Sequence, residues 1–306
     1  MNKSSMDALY DRLRERCADT RTKEPMKKHT TFQVGGPADY FITPGSTEEL
    51  RAVLELCREE GIPFFILGNG SNLLVSDQGY RGAVIHIGKA FSEIRTEGTR
   101  VTAGAGAMLS RVAMKAWEEG LTGLEFASGI PGTLGGAMVM NAGAYGGEMV
   151  QVVKRATVLT KEGALRTLGL SELDMGYRKS CILPMGYVVL ETEMELAFGD
   201  RARIRETMDD LSARRKEKQP LEFPSAGSTF KRPEGYFAGK LIMDAGLAGF
   251  SVGGACVSEK HCGFVVNRGG ASAQDIMKLC REVRQRVRER FGVTLEMEVK
   301  TLGEFL

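Results

Sequence analysis

The sequence predicts an α+β protein built in two parts, on three observations. Helices with explicit start and stop signals mix with short apolar strands up to about residue 200, where the chain changes character and a long charged helix begins. Two neutral, glycine-rich stretches, 68–72 and 129–147, interrupt the first part. The 306 residues allow two or three domains, and 42% apolar with 26% charged residues is an ordinary globular composition. A formal charge of +2 gives no global reason to expect nucleic acid or an anionic membrane as partner, so attraction for anions must be local.

Residues 4–16 read as a short amphipathic helix with Met6, Leu9, Tyr10 and Leu13 on one face. The segment is heavily charged and lacks the apolar core of a signal peptide; no run approaches the ~18 apolar residues that span a bilayer. A strand follows at 39–43. The next helix starts at Ser46 as N-cap with Glu49 three residues on, carries Leu50, Val53, Leu54 and Cys57 on one face, and closes at Gly61. With the apolar strand 62–67 this makes a βαβ unit, which predicts a parallel pair. Strands at 83–87, near Ile94 and at 101–103 precede a helix over 108–119 that ends at Gly120. A hairpin, 152–160 with 164–168, turns at Glu162-Gly163, and a long strand covers 187–197.

Beyond the boundary, 200–218 is a helix with Ile204, Met208 and Leu211 inward, stopped before Pro220. A helix at 237–245 closes at Gly246, and a strand covers 263–267. The last helix has Ser272 as cap, Asp275 three residues on, an apolar face of Ile276, Leu279, Cys280, Val283, Val287 and Phe291, and Gly292 after its last turn. The final strand alternates strictly: Val293, Leu295, Met297 and Val299 take one face, Thr294, Glu296, Glu298 and Lys300 the other.

Seven of the nineteen residues of 129–147 are glycine, interleaved with apolar residues and not with the serine of a solvated linker. Each glycine inside an element costs roughly 0.5–1 kcal/mol against alanine. Repeating that cost points to positive φ or to backbone lying directly on a large ligand. The upstream loop, Gly68-Asn69-Gly70-Ser71-Asn72, begins like G-x-G-x-x-G, but the sixth position is Leu73 and a strand follows in place of the helix that a dinucleotide fingerprint needs. What remains is a nest of backbone N–H groups with Ser71 and Asn72 as added donors. The six cysteines form no C-x-x-C pair, and only His29, His86 and His261 could join them, so neither disulfides nor a metal site is expected. A cytoplasmic location is.

Taken together, His-Thr-Thr-Phe-Gln-Val-Gly-Gly-Pro-Ala-Asp (29–39), Gly-Asn-Gly-Ser-Asn-Leu-Leu-Val-Ser-Asp (68–77), Gly-Ile-Pro-Gly-Thr-Leu-Gly-Gly-Ala (129–137), Asn-Ala-Gly-Ala-Tyr-Gly (141–146), Tyr-Arg-Lys-Ser (177–180), Ala-Gly-Ser-Thr-Phe-Lys (226–231) and Glu-Val (298–299) resemble the UDP-N-acetylenolpyruvoylglucosamine reductase (MurB) family. The resemblance covers about residues 25 to 303, in the shorter form without an added lid loop. It implies a lead-in of 1–29, a bipartite FAD-binding region of the vanillyl-alcohol-oxidase (PCMH) type over 30–200, and a smaller α+β substrate-binding domain over 201–306. It also implies an activity in peptidoglycan precursor synthesis. NADPH reduces a non-covalently held FAD, hydride goes to the β-carbon of UDP-N-acetylglucosamine enolpyruvate, and a proton at the α-carbon completes UDP-N-acetylmuramate. No nucleic acid or membrane partner is implied, and the working expectation is a monomer.

The same resemblance assigns the loops. Gly68, Asn69, Gly70, Ser71 and Asn72 take the FAD pyrophosphate; Gly129, Ile130, Pro131, Gly132, Gly135, Gly136, Asn141, Ala142 and Gly143 bring backbone against phosphate, ribityl chain and isoalloxazine. Tyr145 and His29 could lie near the flavin, though packing explains them equally well. Three positions are implied to be catalytic. Arg178 cannot lose its proton and would stabilise the enolate-like carboxylate that hydride addition creates, an effect typically worth about 3–4 kcal/mol in kcat. Ser228 would deliver the proton, a role worth about 10²–10⁴-fold. Glu298 would position or polarise that donor. The alternation puts Glu296 on the same face, so chemistry alone leaves the two glutamates open, and only the family pattern before Val299 selects Glu298. Lys218, with Lys231 or Arg232, would meet the substrate diphosphate. Read without the family, Arg178 is a solvated loop residue, Ser228 a turn serine and Lys218 a helix end. Two other functions compete: another FAD oxidase of alcohols or hydroxy acids on the same scaffold, and a non-catalytic protein that binds nucleotide sugars.

Overall fold

In the computed structural model, which describes residues 3–305, the strand Val188–Glu195 is the middle of a five-stranded antiparallel sheet. Its sequence alternates to suit that place: Leu190, Thr192 and Met194 are buried, and the glutamates between them take the other face, where Glu193 meets Arg155 at 2.7 Å. The strands run in the order Leu165–Gly169, Val153–Leu159, Val188–Glu195, Arg100–Gly104 and Ile94–Glu97. The hairpin turns where Glu162-Gly163 placed it, with Leu159 opposite Leu165. The helix Leu109–Glu118 buries Leu109, Val112, Ala113 and Ala116, the spacing of one helical face.

The chain divides into two units. The first holds the chain up to Thr22, Tyr40–Asn69 and Gly82–Arg214; the second holds Lys23–Asp39, Gly70–Arg81 and everything from Arg215 on. The last junction therefore falls inside the helix Arg201–Lys218, not near residue 200, and the earlier ones send two segments of the N-terminal third into the second unit.

In the first unit the helix Lys3–Arg16 buries Leu9 and Leu13 and half-buries Tyr10; the side chain of Met6 lies outside the described residues. The helix Thr47–Glu59 starts as its cap predicts, with Ser46 Oγ accepting the Glu49 N–H at 3.2 Å. The Glu49 carboxylate takes the N–H of Gly45 (2.8 Å), one residue short of a full capping box. The expected parallel partner is corrected. Phe64–Leu67 runs parallel to Tyr80–His86, with Phe64 opposite Ala83 and Leu67 opposite His86, and that strand separates it from Pro37–Ile42 in the sheet.

The second unit is organised by the helix Ala273–Phe291, whose Ile276, Leu279, Cys280, Val283 and Val287 are fully buried with Leu241, Ile242, Val265 and Leu295. Its N-terminus is satisfied three times over. Ser272 Oγ accepts the Asp275 N–H (3.0 Å), Asp275 accepts the Ser272 N–H (3.0 Å), and the Asp77 carboxylate accepts from Ala273 (2.8 Å) and Gln274 (2.9 Å). The Ser272 N–H above all holds the Asp275 carboxyl below its usual range. Leu73–Val75 forms a parallel ladder with Lys300–Leu302. The alternating segment before it keeps its faces, with Leu295 and Val299 buried and Thr294 and Glu296 exposed. It is not a continuous strand: Met297 bridges to Phe230, and the ladder resumes only at Lys300. No described helix is long and apolar enough to cross a membrane.

Candidate active site

In the first unit the two glycine-rich stretches meet. A Cβ on Gly68 would stand 2.3 Å from Thr133 Oγ1, so this approach exists only because residue 68 is glycine. Asn69 Nδ2 donates to the Pro131 carbonyl at 2.5 Å. Beside this junction lies a cavity of about 230 Å³, lined by Gly68, Asn69, Gly88, Gly106 and Thr133, with Lys89 and Arg111 adding positive charge. Glycine backbone and two cations suit an anionic diphosphate, the side chains of Ile87, Ile94 and Met108 add apolar wall, and an FAD fits the cavity on that ground. Sequence reasoning missed Lys89 and Arg111. Neither lies in a motif; only the fold brings them to the loop.

The rest of the first loop belongs to the second unit. Gly70 has φ +62°, and a Cβ there would fall 2.0 Å from the His29 carbonyl oxygen, while Thr31 N–H donates to the Gly70 carbonyl (3.3 Å). Thr31 Oγ1 is buried with no hydrogen-bond partner, the kind of atom a bound polar ligand satisfies. Asn72 Nδ2 donates to the Glu298 carbonyl at 3.2 Å, so an amide expected at the cofactor anchors the backbone of Glu298. His29 lies 3.0 Å from Glu24 through Nε2.

Within 129–147 the structure places a seven-residue helix, Leu134–Met140, where the glycine count suggested loop. Thr133 caps it, and Gly129, Pro131 and Gly136 are exposed while Ile130, Gly132 and Gly135 are half-buried. Asn141 ends the helix in the left-handed conformation (φ +41°, ψ +58°) and is buried. Its side chain is spent inside the protein. Oδ1 accepts the Val150 N–H (2.9 Å), and Nδ2 donates to Glu148 Oε2 (3.0 Å) and to the Gly176 carbonyl (3.1 Å). Ala142 and Gly143 are half-buried, with Gly143 paired to Glu148.

Arg178 occupies a corner of a tight turn closed by Gly176 N–H to Lys179 O and Lys179 N–H to Gly176 O, both 3.1 Å. It is half-buried, has φ +55°, and holds its guanidinium 5.0 Å from the Tyr177 ring centre. Ser180 Oγ donates to the Val139 carbonyl at 3.0 Å.

In the second unit Ser228 and Glu298 come from facing segments. Thr229 sets them: its N–H donates to Gly263 O (2.8 Å), its carbonyl accepts the Glu298 N–H (2.9 Å), and its Oγ1 accepts the Val265 N–H (2.9 Å). Ser228 is exposed, Thr229 buried and Glu298 half-buried. Gly263 is itself braced by His261 Nδ1, which accepts its N–H at 3.1 Å; burial pushes that imidazole below its usual range, in keeping with a neutral acceptor. Of the expected diphosphate cations, Lys231 bonds the Glu296 carboxylate and holds that carboxyl below its ordinary range. Arg232 lies 3.9 Å over the Phe237 ring and donates to the Tyr236 carbonyl (3.3 Å), while Lys218 is exposed at its helix end. Among the described residues, no three His, Cys, Asp or Glu side chains are grouped to hold a metal.

The chain matches two described families: UDP-N-acetylenolpyruvoylglucosamine reductase, C-terminal domain, over residues 219–302, and FAD binding domain over 38–169. It is 56% identical over 294 residues to a UDP-N-acetylenolpyruvoylglucosamine reductase of Agathobacter rectalis, covering 92% of this chain and 93% of that one. It is 54% identical over 286 residues to the protein so named from Clostridioides difficile, covering 94% of each. The crystal structure of UDP-N-acetylenolpyruvylglucosamine reductase (MurB) from Thermus caldophilus superposes with a TM-score of 0.81 at 37% identity, over 93% of this chain and 100% of that one. A 4-ethylphenol oxidase from Gulosibacter chungangensis shares the fold over 64% of this chain and 43% of its own, with a TM-score of 0.51 at 15% identity.

Proposed function

We propose a division of catalytic labour among three side chains from one premise: this chain belongs to the UDP-N-acetylenolpyruvoylglucosamine reductase family. It is an FAD- and NADPH-dependent oxidoreductase that reduces UDP-N-acetylglucosamine enolpyruvate to UDP-N-acetylmuramate in peptidoglycan precursor synthesis. Bound FAD supplies hydride, drawn from NADPH, to the β-carbon of the enol ether.

The protein's own tasks are then to hold the flavin, absorb negative charge and supply one proton. Gly68, Asn69 and Thr133, with Lys89 and Arg111, line the cavity assigned to the cofactor. As hydride arrives, charge accumulates on the substrate carboxylate, and the fixed cation of Arg178 stabilises it. Ser228 Oγ gives its proton to the α-carbon, and Glu298 orients and polarises that hydroxyl. Lys218, Lys231 and Arg232 bind the diphosphate. Six free cysteines fit a reducing, cytoplasmic setting.

The observation that carries this reading is the Thr229 clamp, which fixes the Ser228 segment against Glu298 while Asn72 of the glycine loop bonds the Glu298 carbonyl. The test is Ser228→Ala, followed anaerobically by flavin absorbance. NADPH should bleach the flavin at the normal rate, and adding the enolpyruvyl substrate should restore its colour about 10²–10⁴-fold more slowly. Reoxidation at the unmodified rate removes the serine as proton donor.

A further inference from the structure

We propose that Asn141 is the positioning residue for Arg178, joining the flavin-binding stretch to the guanidinium. This rests on the reading of Arg178 as the cation at the substrate carboxylate. Arg178 sits in the left-handed region at φ +55°, which an L-residue enters only when its surroundings impose it. The turn's own two bonds do not say where the turn stands, because both partners move with it. What fixes it in place is outside: the Gly176 carbonyl, already accepting from Lys179, receives a second hydrogen bond from Asn141 Nδ2 at 3.1 Å. Two residues past Arg178, Ser180 Oγ reaches the Val139 carbonyl at 3.0 Å. Both sides of the turn are thus tied to the end of one short helix, Leu134–Met140, which begins at the capping Thr133 of the glycine-rich stretch.

The chemistry of residue 141 is specific. Its left-handed backbone is a conformation that asparagine tolerates and most residues do not. Its amide oxygen takes the Val150 N–H, and its amide nitrogen places one hydrogen on Glu148 and one on Gly176. An aspartate keeps the size and the first bond but sets an oxygen against a carboxylate and a carbonyl. The tether to Gly176 is then lost while the backbone conformation is kept.

The test compares Asn141→Asp, Asn141→Gly and Arg178→Ala by anaerobic stopped flow, with FAD affinity and thermal unfolding measured on each. In both Asn141 variants, read at saturating FAD, reoxidation by the enolpyruvyl substrate should slow about 10²-fold relative to the NADPH half-reaction of the same variant, the scale of an ångström of misplacement. Combining Asn141→Asp with Arg178→Ala should be no slower than Arg178→Ala alone, since a holder is worthless without what it holds. Normal reoxidation in the Asn141 variants beside a crippled Arg178→Ala overturns this inference and leaves the reading of Arg178 standing. Normal reoxidation in Arg178→Ala instead overturns that reading. Equal slowing of both half-reactions makes Asn141 a cofactor residue only, and loss of cooperative unfolding in both Asn141 variants makes it a purely structural one; either result overturns the inference.

Discussion

The turn that carries Arg178 is tied to its surroundings by side chains, whereas the paired segments that carry Ser228 and Glu298 are joined to each other by main chain. Around Arg178 the fixing bonds run from side chains to backbone: Asn141 to Gly176 and Ser180 to Val139. Around Ser228 and Glu298 two of the three bonds at Thr229 join main chain to main chain, and side chains add the bonds of Thr229 Oγ1 to Val265, Asn72 to Glu298 and His261 to Gly263. A position held by side chains can lose its function to one substitution while the fold survives. A position held by backbone resists side-chain exchange but not the arrival of a Cβ where none fits. The ratio of rate lost to stability lost should therefore be high at residue 141 and low at residue 229.

The largest effect expected on the backbone-held side is Gly70→Ala. The new Cβ would meet the His29 carbonyl at 2.0 Å, with φ already at +62°. The left-handed penalty and the overlap together cost roughly 2–5 kcal/mol, read as a Tm lower by several degrees with FAD present. An unchanged Tm would show that the loop relaxes freely and that backbone contact is not what holds it. Next comes Thr229→Val, which strands the buried Val265 N–H at a cost of about 1–3 kcal/mol. Both main-chain bonds of residue 229 survive, so flavin reoxidation should stay near its normal rate while Tm falls. If Thr229→Val slows reoxidation as much as Asn141→Asp does, the contrast between the two regions is false.

The same contrast explains what could be read from sequence. Features written in neighbouring residues were legible: the caps at Ser46 and Ser272, the Glu162-Gly163 turn, and the alternation that separates Leu295 and Val299 from Glu296. Partners far along the chain were not. Nothing near Asp77 says that it will cap a helix that starts at Ala273, and nothing near Phe64 says that Tyr80–His86 will pair beside it. The helix Leu134–Met140 was hidden because Gly135 and Gly136 in its first turn argue against a helix by propensity, and packing of Leu134, Ala137 and Met138 overrides them. The side chains proposed to react were named only through the family resemblance. The residues that bond their segments, Thr229 and Asn141, carried no chemical signal of that contact.

The smallest effect separates the two glutamates that alternation left equivalent. Glu296 is exposed and bonded by Lys231, whose hydrogen bond and charge hold its carboxyl below the usual range. A depressed folded-state value means that the pair's contribution is present above the ordinary carboxylate range and is lost as pH falls through the depressed value. Because the pair is solvent-screened, that contribution is at most about 1 kcal/mol. Glu296→Gln should therefore lower Tm slightly at neutral pH, converge with the unmodified protein in acid, and leave kcat unchanged. Glu298 is half-buried, follows directly on the Met297–Phe230 bridge, and has its N–H on Thr229. Glu298→Gln should leave Tm nearly unmoved and slow flavin reoxidation. Comparing the two variants at one pH in the anaerobic assay decides between them: an equal loss of rate would mean that Glu296, not strand register, shares the work with Ser228.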